Sequence, residues 1–128
     1  MSKYSLSKSE RLKHQKDIEA LFATGKSLYK FPFNLRYHIV AGQTEHPVKF
    51  SVSVPKKKIK LAVGRNKVKR QIREYYRLNK HLLIDVAKAN ACGINLMFIY
   101  ANNDISNCQN KANVVIKLMQ KLVDAEFN

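Results

Sequence analysis

The sequence predicts an α+β domain, a sandwich in which helices pack against a small mixed sheet. Three observations favour this class. Hydrophobic residues make up 45% of the 128 residues, which is enough for one core. Two segments alternate apolar and polar residues as strands do, and three others repeat apolar residues at helical spacing. We expect one domain over residues 1–128, with mobile residues 1–10, in the order α-β-β-α-β-α and with a short additional strand near 27–30.

The first helix is expected to lie within residues 7–24. Ser7 and Glu10 have the spacing of a capping box, which would begin the helix there, and the alternative is a later beginning near Lys13. Gly25 is expected to end the helix in the left-handed conformation that glycine adopts readily. The apolar side of this helix comprises Leu12, Ile18, Leu21 and Phe22.

Two strands follow, over residues 33–40 and 48–54. In each strand, alternate residues form one apolar face, and the other face carries polar residues without a carboxylate. Pro55 ends the second strand because it has no backbone N–H for a sheet hydrogen bond. Since only a turn over 42–47 separates the two strands, we expect them to pair as an antiparallel hairpin.

The second half of the chain contains two more helices and one strand. A long helix is expected from about residue 65 to at least 78, with residue 87 as its farthest limit. Residues 94–100 are nearly all apolar, which predicts a central strand covered on both faces. Residues 101–110 form a polar loop. A final amphipathic helix follows, with the apolar residues Val114, Val115, Leu118, Leu122 and Val123.

The long helix carries a cation at every fourth position, namely Arg65, Lys69, Arg73 and Arg77. At about 100° per residue these side chains lie on one side of the helix. Only Glu74 offers a counter-charge, and cations in the first turns oppose the helix dipole, so this face is not arranged for stability alone. A helix N-terminus with added cations is an anion site, and we expect this face to bind phosphates.

Neighbouring residues extend this cationic face. Asn66, Arg70 and Lys80 fall within the same arc, whereas Lys67 lies away from the other cations. Asn66 has two interpretations, as the N-cap of the helix or as a polar contact to RNA. The loop before the helix adds Lys56, Lys57, Lys58 and Lys60, and the opposite, packing side of the helix comprises Val68, Ile72 and Tyr75.

The net charge narrows the class of partner. Lysine and arginine number 24 against 9 acidic residues, which gives a net charge of +15. So many positive side chains repel one another in a compact fold, which indicates a polyanionic partner that neutralises them. Nucleic acid is favoured over an anionic membrane surface as that partner. The sequence has no apolar run of transmembrane length and its N-terminus does not resemble a signal peptide, so a cytoplasmic location is expected.

The sequence offers no evident catalytic or metal-binding group in the protein itself. The 9 acidic residues are scattered, and the histidines have no metal-ligand spacing. Cys92 and Cys108 are expected to be buried as small apolar residues rather than to bind a metal or form a disulfide. The positions of any metal ions stay open.

The polar faces of the two predicted strands form a second candidate surface. Hydrogen-bond donors without a carboxylate among them suit the binding of a single nucleic-acid strand whose backbone lies along a groove. These donors are Asn34, Arg36, His38, Lys49, Ser51 and Ser53. The aromatic residues Phe22, Phe33, Tyr37, Phe50 and Phe98 are interpreted as core rather than as stacking platforms, with a position for Phe22 in a binding cleft left as the alternative.

Residues 57–74, KKIKLAVGRNKVKRQIRE, resemble the signature of the bacterial ribonuclease P protein family. That signature has two lysines, a short loop, the step AV-x-RN and then K-R-x-x-R. Arg11-Leu12, Ile18, Phe22-x-x-Gly25 and residues 50–54 are also similar, so the resemblance covers residues 4–100. It implies a fold like the second domain of ribosomal protein S5, with a small, mostly antiparallel sheet and a left-handed β-α-β crossover.

The resemblance also implies a function. The enzyme of this family removes the 5′ leader of precursor tRNA, and its RNA subunit is the ribozyme. The protein is then a non-catalytic subunit of an endoribonuclease, which assists substrate binding and the holding of Mg2+ in the holoenzyme. Its partners would be the ribonuclease P RNA and precursor tRNA, with neither DNA nor a membrane expected.

Two sets of site residues follow from matching positions in the motif. The catalytic RNA would contact Lys57, Lys58, Arg65, Asn66, Lys67, Lys69, Arg70 and Arg73. The 5′ leader would lie in a cleft between the first helix and the sheet, formed by Ile18, Phe22, Asn34, Arg36 and Ser51. The chain departs from the family at Lys67, where arginine is usual, and at Ile18 and Arg36, where aromatic residues are common.

Three other functions are alternatives to this one. The first is a ribosomal or RNA-assembly protein of similar fold, without a role in tRNA processing. The second is a protein-only ribonuclease that uses His38 and His81 as acid and base. The third is a DNA-binding protein, for which no helix-turn-helix partner is evident before Arg65.

Overall fold

The computed structural model describes residues 10–42, 45–102 and 111–128. Its elements are α1 (Gln15–Thr24), β1 (Lys26–Lys30), β2 (Phe33–Ala41), β3 (Val48–Ser53), α2 (Ala62–Asn79), α3 (His81–Ala89), β4 (Cys92–Tyr100) and α4 (Lys111–Phe127). The α+β class and the short additional strand are therefore confirmed. The expected mobility of residues 1–9, the capping residue Ser7, Cys108 and most of the loop over 101–110 lie outside the described residues.

The sheet has the strand order β1-β2-β4-β3, with β4 in the interior. Every residue of β4 except Ile99 is buried, which confirms a central strand covered on both faces. The predicted hairpin between β2 and β3 is wrong, because β2 pairs antiparallel with β1 and with β4, and β3 pairs only with β4. The physical reason is burial: an apolar strand loses most water-exposed area when it takes the place between two half-polar strands.

The pairing of β3 with β4 is parallel. Parallel strands need a long connection, and here α2 and α3 provide it. This arrangement is the β-α-β crossover that the family resemblance implies, and the other two pairs of the sheet are antiparallel. The left-handed sense of the crossover stays a prediction.

The two faces of the sheet have different cores. One face packs against α2, α3 and α4 and holds most of the buried apolar residues. At its centre the ring of Phe50 stacks on Tyr76 with centroids 4.2 Å apart, and Phe98 meets the edge of Phe33 at 6.0 Å. The other face, which we name the α1 face, packs against α1 through a smaller cluster of Leu12, Leu21 and Met97, with Ile18 and Ile99 partly buried beside it.

The ends of α1 follow one expectation and correct another. The helix begins at Gln15, which supports the later of the two predicted beginnings. Gly25 ends it as predicted, but with φ of −73° rather than in the left-handed conformation. Glycine is needed there for space, because a Cβ would lie 2.2 Å from the carbonyl oxygen of Leu21 and 2.8 Å from that of Tyr37.

Helix α2 begins at Ala62, three residues earlier than predicted, and ends at Asn79. Its fully packed side is the row Gly64, Val68, Ile72 and Tyr76, whereas Tyr75 is only partly buried. Residues four apart lie almost one above another on a helix, so this row forms a single stripe against the sheet. The cations that follow each of these residues by one position lie beside that stripe.

Lys80 does not belong to the cationic face, contrary to the helical-wheel expectation. Its side chain is buried at the junction of α2 and α3, where Nζ lies 2.8 Å from Oε2 of Glu10. The two side chains are only 7% and 13% exposed. Next to this ion pair, the N–H of Leu12 donates to the carbonyl of Phe50 at 2.8 Å. The segment before α1 is therefore fixed both to the edge strand β3 and to the end of α2.

Glu126 fixes the C-terminal end of α4 to the sheet. Its carboxylate accepts hydrogen bonds from Nζ of Lys26 at 3.0 Å and from the hydroxyl of Tyr37 at 2.9 Å. The hydrogen bond from Lys26 is the main reason that the pKa of Glu126 falls below its ordinary value. Burial, reinforced by the Glu126 carboxylate, raises the pKa of Tyr37 to about 12.

Glu126→Gln is expected to lower the free energy of unfolding at neutral pH by about 1 kcal/mol, because it removes one charged acceptor from two hydrogen bonds. A carboxyl group whose pKa is depressed on folding stabilises the protein above its unfolded pKa. That contribution is lost as the pH falls through the folded value. Acidification below pH 4.5 is therefore expected to destabilise the wild-type protein more than the variant.

Chemical unfolding over a pH series measures this difference. Lys26→Met serves as the partner control, since it removes the main cause of the shift without touching the carboxylate, and it is expected to reduce the same pH dependence. Parallel stability curves for the wild-type protein and Glu126→Gln would contradict the assignment of this contact to stability.

Candidate nucleic-acid interface

The exposed side of α2 and the loop before it present one basic surface. Arg70, Arg73, Asn66 and Lys67 are exposed, and Lys69 is half-buried. Lys57 and Lys58 in the loop are exposed as well. We name these residues together with Arg65 the basic surface; they are the eight that the family motif implies for contact with the catalytic RNA. The structure brings all eight to α2 and to the loop immediately before it.

Arg65 has a structural role within the basic surface. Its Nη1 donates to the carbonyl of Ile59 at 3.0 Å and to that of Lys60 at 2.6 Å. Ile59 is buried in the main core, so these bonds hold the lysine loop against the first turn of α2. Arg65 therefore orients the loop lysines in addition to carrying charge.

Arg77, the last member of the predicted cation row, is paired within the protein. It forms an ion pair with Glu74, three residues earlier on the helix. This hydrogen-bonded contact raises the pKa of Arg77 and lowers that of Glu74. Arg77 thus differs from the other three cations of the row, because an acidic neighbour already offsets its charge.

Arg73 lies close to a cation that the sequence reasoning missed. Partial burial and the positive charge of Arg11 lower the pKa of its guanidinium. Arg11 is exposed and sits beside Phe50 on the edge strand β3. Like charges held near each other oppose folding until an anion neutralises them. Only the tertiary structure reveals this pair, because 61 intervening residues separate Arg11 from Arg73 in the sequence.

Asn66 is not the N-cap of α2. The N-cap position is Leu61, and no side chain caps the helix there. Asn66 lies in the second turn with an exposed side chain. Of the two interpretations of this residue, the structure excludes capping, and a polar contact to RNA stays a prediction.

The five residues predicted for the leader cleft lie together on the α1 face. The register places Arg36 beside Met97, and Met97 beside Ser51, in one row across the sheet. A second row contains Asn34, Ile99 and Ser53. Helix α1 contributes the other two, since Ile18 packs against the small cluster on this face and Phe22 lies above Arg36. The surface that these residues form beside α1 is named the α1 cleft.

Phe22 is a surface residue, which excludes one of its two interpretations. Its side chain is 45% exposed, unlike Phe33, Phe50 and Phe98, which are buried in the main core. The ring centroid lies 5.4 Å from Cζ of Arg36, a distance typical of a cation–π contact. One side of the ring is thus covered by a guanidinium, and the core interpretation of Phe22 is wrong.

Tyr29 is a second aromatic residue at this face, and the sequence analysis missed it. It is 60% exposed on β1, directly opposite Asn34 in the sheet. The signal was present, because Leu28 is the inward residue of the short strand and its neighbours Ser27 and Tyr29 must face the other way. The α1 cleft therefore has two exposed aromatic residues, with Phe22 beside Arg36 and Tyr29 beside Asn34.

Within residues 10–42, 45–102 and 111–128, no group of three or more histidine, cysteine, aspartate or glutamate side chains is placed to hold a metal ion. No helix in this part of the chain has the length and apolar character required to cross a bilayer. Cys92 is a buried member of the main core, as predicted.

The comparisons with known proteins agree with the fold and the motif. The family model described as Ribonuclease P matches residues 6–124. The chain is 38% identical over 121 residues to the ribonuclease P protein component of Porphyromonas gingivalis, a match that covers 92% of this chain and 83% of the relative. The chain belongs to the ribonuclease P protein family. Its role therefore lies in tRNA processing, and a ribosomal protein without such a role is not favoured.

Solved structures of this family share the fold. The Staphylococcus aureus RNase P protein is 23% identical, with a TM-score of 0.63 and coverage of 94% of this chain and 100% of that one. The Thermotoga maritima RNase P protein is 24% identical, with a TM-score of 0.57 and coverage of 91% and 94%. At these identities the likeness shows the fold alone.

Proposed function

We propose that this protein is the non-catalytic subunit of ribonuclease P, which binds the catalytic RNA through the basic surface and the 5′ leader of precursor tRNA in the α1 cleft. The observation that carries the proposal is the separation of these two surfaces. The basic surface lies on α2, which packs on one face of the sheet, and the α1 cleft lies on the opposite face. A protein with two such surfaces can hold two RNA segments at once.

The basic surface supports contact with a folded RNA. Its cations occupy a rigid helix whose packed row is fully buried, so their spacing along the axis is fixed. Arg70 and Arg73 can form bidentate bonds with phosphate, whereas Lys67 offers a point charge. Neutralisation of phosphates by such residues releases counterions, which supplies affinity without base specificity.

The α1 cleft supports contact with a single strand. It combines hydroxyl and amide groups of Ser51, Ser53 and Asn34 with the exposed rings of Phe22 and Tyr29. Aromatic rings accept stacked bases of any sequence, and polar groups without a carboxylate tolerate the phosphate backbone. These properties suit a leader whose sequence differs from one precursor tRNA to another.

The chemistry of cleavage belongs to the RNA in this proposal. The family resemblance places Mg2+ in the holoenzyme, but the described residues do not gather the oxygen ligands that this ion prefers, so no step is assigned to a protein-bound metal. The protein contributes by holding the substrate and the ribozyme in one orientation, which lowers the entropic cost of reaching the reactive arrangement.

Reconstitution tests the proposed function. The chain is mixed with the catalytic RNA of its own genome at low magnesium, and removal of the 5′ leader from a precursor tRNA is measured. Cleavage is expected to be faster than with RNA alone, and no cleavage is expected with the chain alone. Cleavage by the purified chain would favour a protein-only ribonuclease, and the absence of any stimulation would remove the subunit assignment.

Phe22→Ala is expected to leave the free energy of unfolding within about 1 kcal/mol of wild type, because the side chain is 45% exposed and lies outside the buried clusters. Affinity of the holoenzyme for precursor tRNA is expected to fall by about 1–3 kcal/mol, the range for loss of one stacked base. Phe98→Ala is the matched control and is expected to cost about 3–5 kcal/mol of stability, since Phe98 is buried.

Urea unfolding and equilibrium binding measure the two quantities. Mature tRNA, which has no leader, is expected to bind equally well to holoenzymes with the wild-type protein and with Phe22→Ala. A large loss of stability in Phe22→Ala, or equal losses for precursor and mature tRNA, would contradict a position of this ring in the leader path.

A further inference from the structure

Arg36 is the most extensively bonded side chain of the α1 cleft. Its Nε donates to the carbonyl of Leu21 at 3.1 Å, and its Nη1 donates to Oγ of Ser27 at 2.8 Å. Its Nη2 donates to the carbonyls of Phe22 at 2.7 Å and Gly25 at 3.5 Å. All three nitrogens of the guanidinium thus have an acceptor within the protein.

We infer that Arg36 is a positioning residue, which holds the last turn of α1 and the ring of Phe22 in the arrangement that receives the leader. This inference rests on the proposed binding of the leader in the α1 cleft. A cation in a nucleic-acid cleft first suggests direct contact with phosphate. Arg36 instead contributes to leader binding indirectly, through the position of Phe22.

The end of α1 requires such a contact. The last carbonyls of a helix have no partners within the helix and carry a partial negative charge, which cations stabilise. No basic residue lies in the last turn of α1, so the helix does not supply its own cation. Arg36 supplies one from β2, and the planar fork of arginine allows it to reach several acceptors at once.

The ring of Phe22 is held by the same guanidinium. Its backbone carbonyl accepts a hydrogen bond from Arg36, and its ring lies over the guanidinium carbon at 5.4 Å. A ring held at both points loses less conformational freedom when a base stacks on it, so the binding energy is larger. The half-buried position of Arg36 beneath the ring also keeps most of its charge turned toward the protein.

Binding of precursor tRNA and mature tRNA to the reconstituted holoenzyme tests this inference. The ratio of the two affinities reports the contribution of the leader. Arg36→Met and Arg36→Lys are both expected to lower this ratio about fivefold or more, the lower limit for loss of one stacked base. The dependence of the ratio on salt concentration is expected to stay as in wild type, because no phosphate contact is removed.

A direct phosphate contact gives a different result. Arg36→Lys would then keep most of the affinity, and Arg36→Met would reduce the salt slope by about 0.7, the value for one contact to a single strand. Either result overturns the positioning role. Lys121→Met, an exposed single-charge change on α4 at the opposite face, is the control for general loss of charge.

A double-mutant cycle measures the coupling between Arg36 and Phe22 in leader binding, which a purely structural role of Arg36 would not produce. If Arg36 acts through the ring, Phe22→Leu and Arg36→Lys together are expected to lower the ratio little more than either change alone. If the double variant lowers the ratio by the product of the two separate effects, the inference is wrong. Ser27→Ala removes one acceptor of Arg36 without altering charge. It keeps the test decisive if Arg36→Met does not fold. A smaller decrease of the same affinity ratio is expected for this variant.

Failure of the inference is distinguishable from failure of the proposed function. If the holoenzyme with wild-type protein binds precursor and mature tRNA equally, the leader does not lie in the α1 cleft. If wild type prefers the precursor and the Arg36 and Ser27 variants keep that preference, leader binding stands and the positioning role of Arg36 is wrong.

Discussion

Replacing Lys69, Arg70 and Arg73 together with alanine is expected to reduce the salt slope of binding to the catalytic RNA by about 2 to 3. Each phosphate contact contributes about 0.7–0.9 to the slope of log affinity against log salt concentration, because it releases counterions from the RNA. Affinity is expected to fall at every salt concentration, and most strongly at low salt. Titration of labelled catalytic RNA with the variant at several salt concentrations measures both.

Stability separates a binding role from a structural one. None of these three cations has an ion pair within the part of the chain that the structure describes. Arg73 also lies near the positive charge of Arg11. The triple variant is therefore expected to be as stable as wild type or more stable, as measured by chemical unfolding. Arg65 is excluded from it, because Arg65 also holds the lysine loop in place.

The matched control removes equal charge elsewhere. Lys88, Lys117 and Lys121 are exposed on α3 and α4, and their replacement with alanine changes the net charge by the same amount. The control is expected to retain most of the salt slope. Equal slopes for both triple variants would mean that net charge alone drives binding and that α2 is not the site of contact.

The pattern of apolar residues predicted the elements better than their pairing. A nearly unbroken apolar run is covered on both faces only in the interior of a sheet, so β4 was identifiable as the central strand from its own residues. Its neighbours were not identifiable in this way. Whether β2 pairs with β3 or with β4 depends on the total area buried by four strands and four helices, which no single segment contains.

Helical periodicity predicted where the cations of α2 lie, but not which of them have partners. Arg77 and Glu74 are neighbours in sequence, so this pair could be anticipated. Lys80 and Arg36 could not be interpreted in the same way, because their acceptors come from other elements: Glu10 precedes α1, and the carbonyls at the end of α1 are backbone groups without a residue-specific signal. A charge in the sequence is thus a candidate contact only until tertiary acceptors are known.

Aromatic residues show the same division between local pattern and tertiary position. Phe22 has the spacing of a core residue on α1, yet its side chain is exposed and lies outside the small cluster between α1 and the sheet. The small cluster on the α1 face takes its apolar residues from α1, from β4 and from Leu12 before α1, so this core is too small to bury another ring. Periodicity favoured the core for this ring, and the structure excludes that position. The position in the leader cleft that the family resemblance implies stays a prediction.

Glu10→Ala is expected to destabilise the protein by about 3–5 kcal/mol, the cost of removing one member of a buried ion pair. The side chain of Lys80 is 7% exposed, and its Nζ lies 2.8 Å from Oε2 of Glu10, at the junction of α2 and α3. Water cannot replace the lost carboxylate without opening that junction. Thermal and urea unfolding measure the effect, which is large for a residue whose sequence context suggests only a helix cap.

Lys80→Met is expected to cost a similar amount, because it leaves the carboxylate buried instead. The two changes combined are expected to cost less than their sum, since replacing both partners of a buried pair removes the unpaired charge and keeps apolar contact. RNA binding of the folded variants is expected to be unchanged, because neither group belongs to the basic surface. Additive losses of stability would show that the two groups do not interact, and weaker RNA binding by Lys80→Met at full stability would return Lys80 to the cationic face.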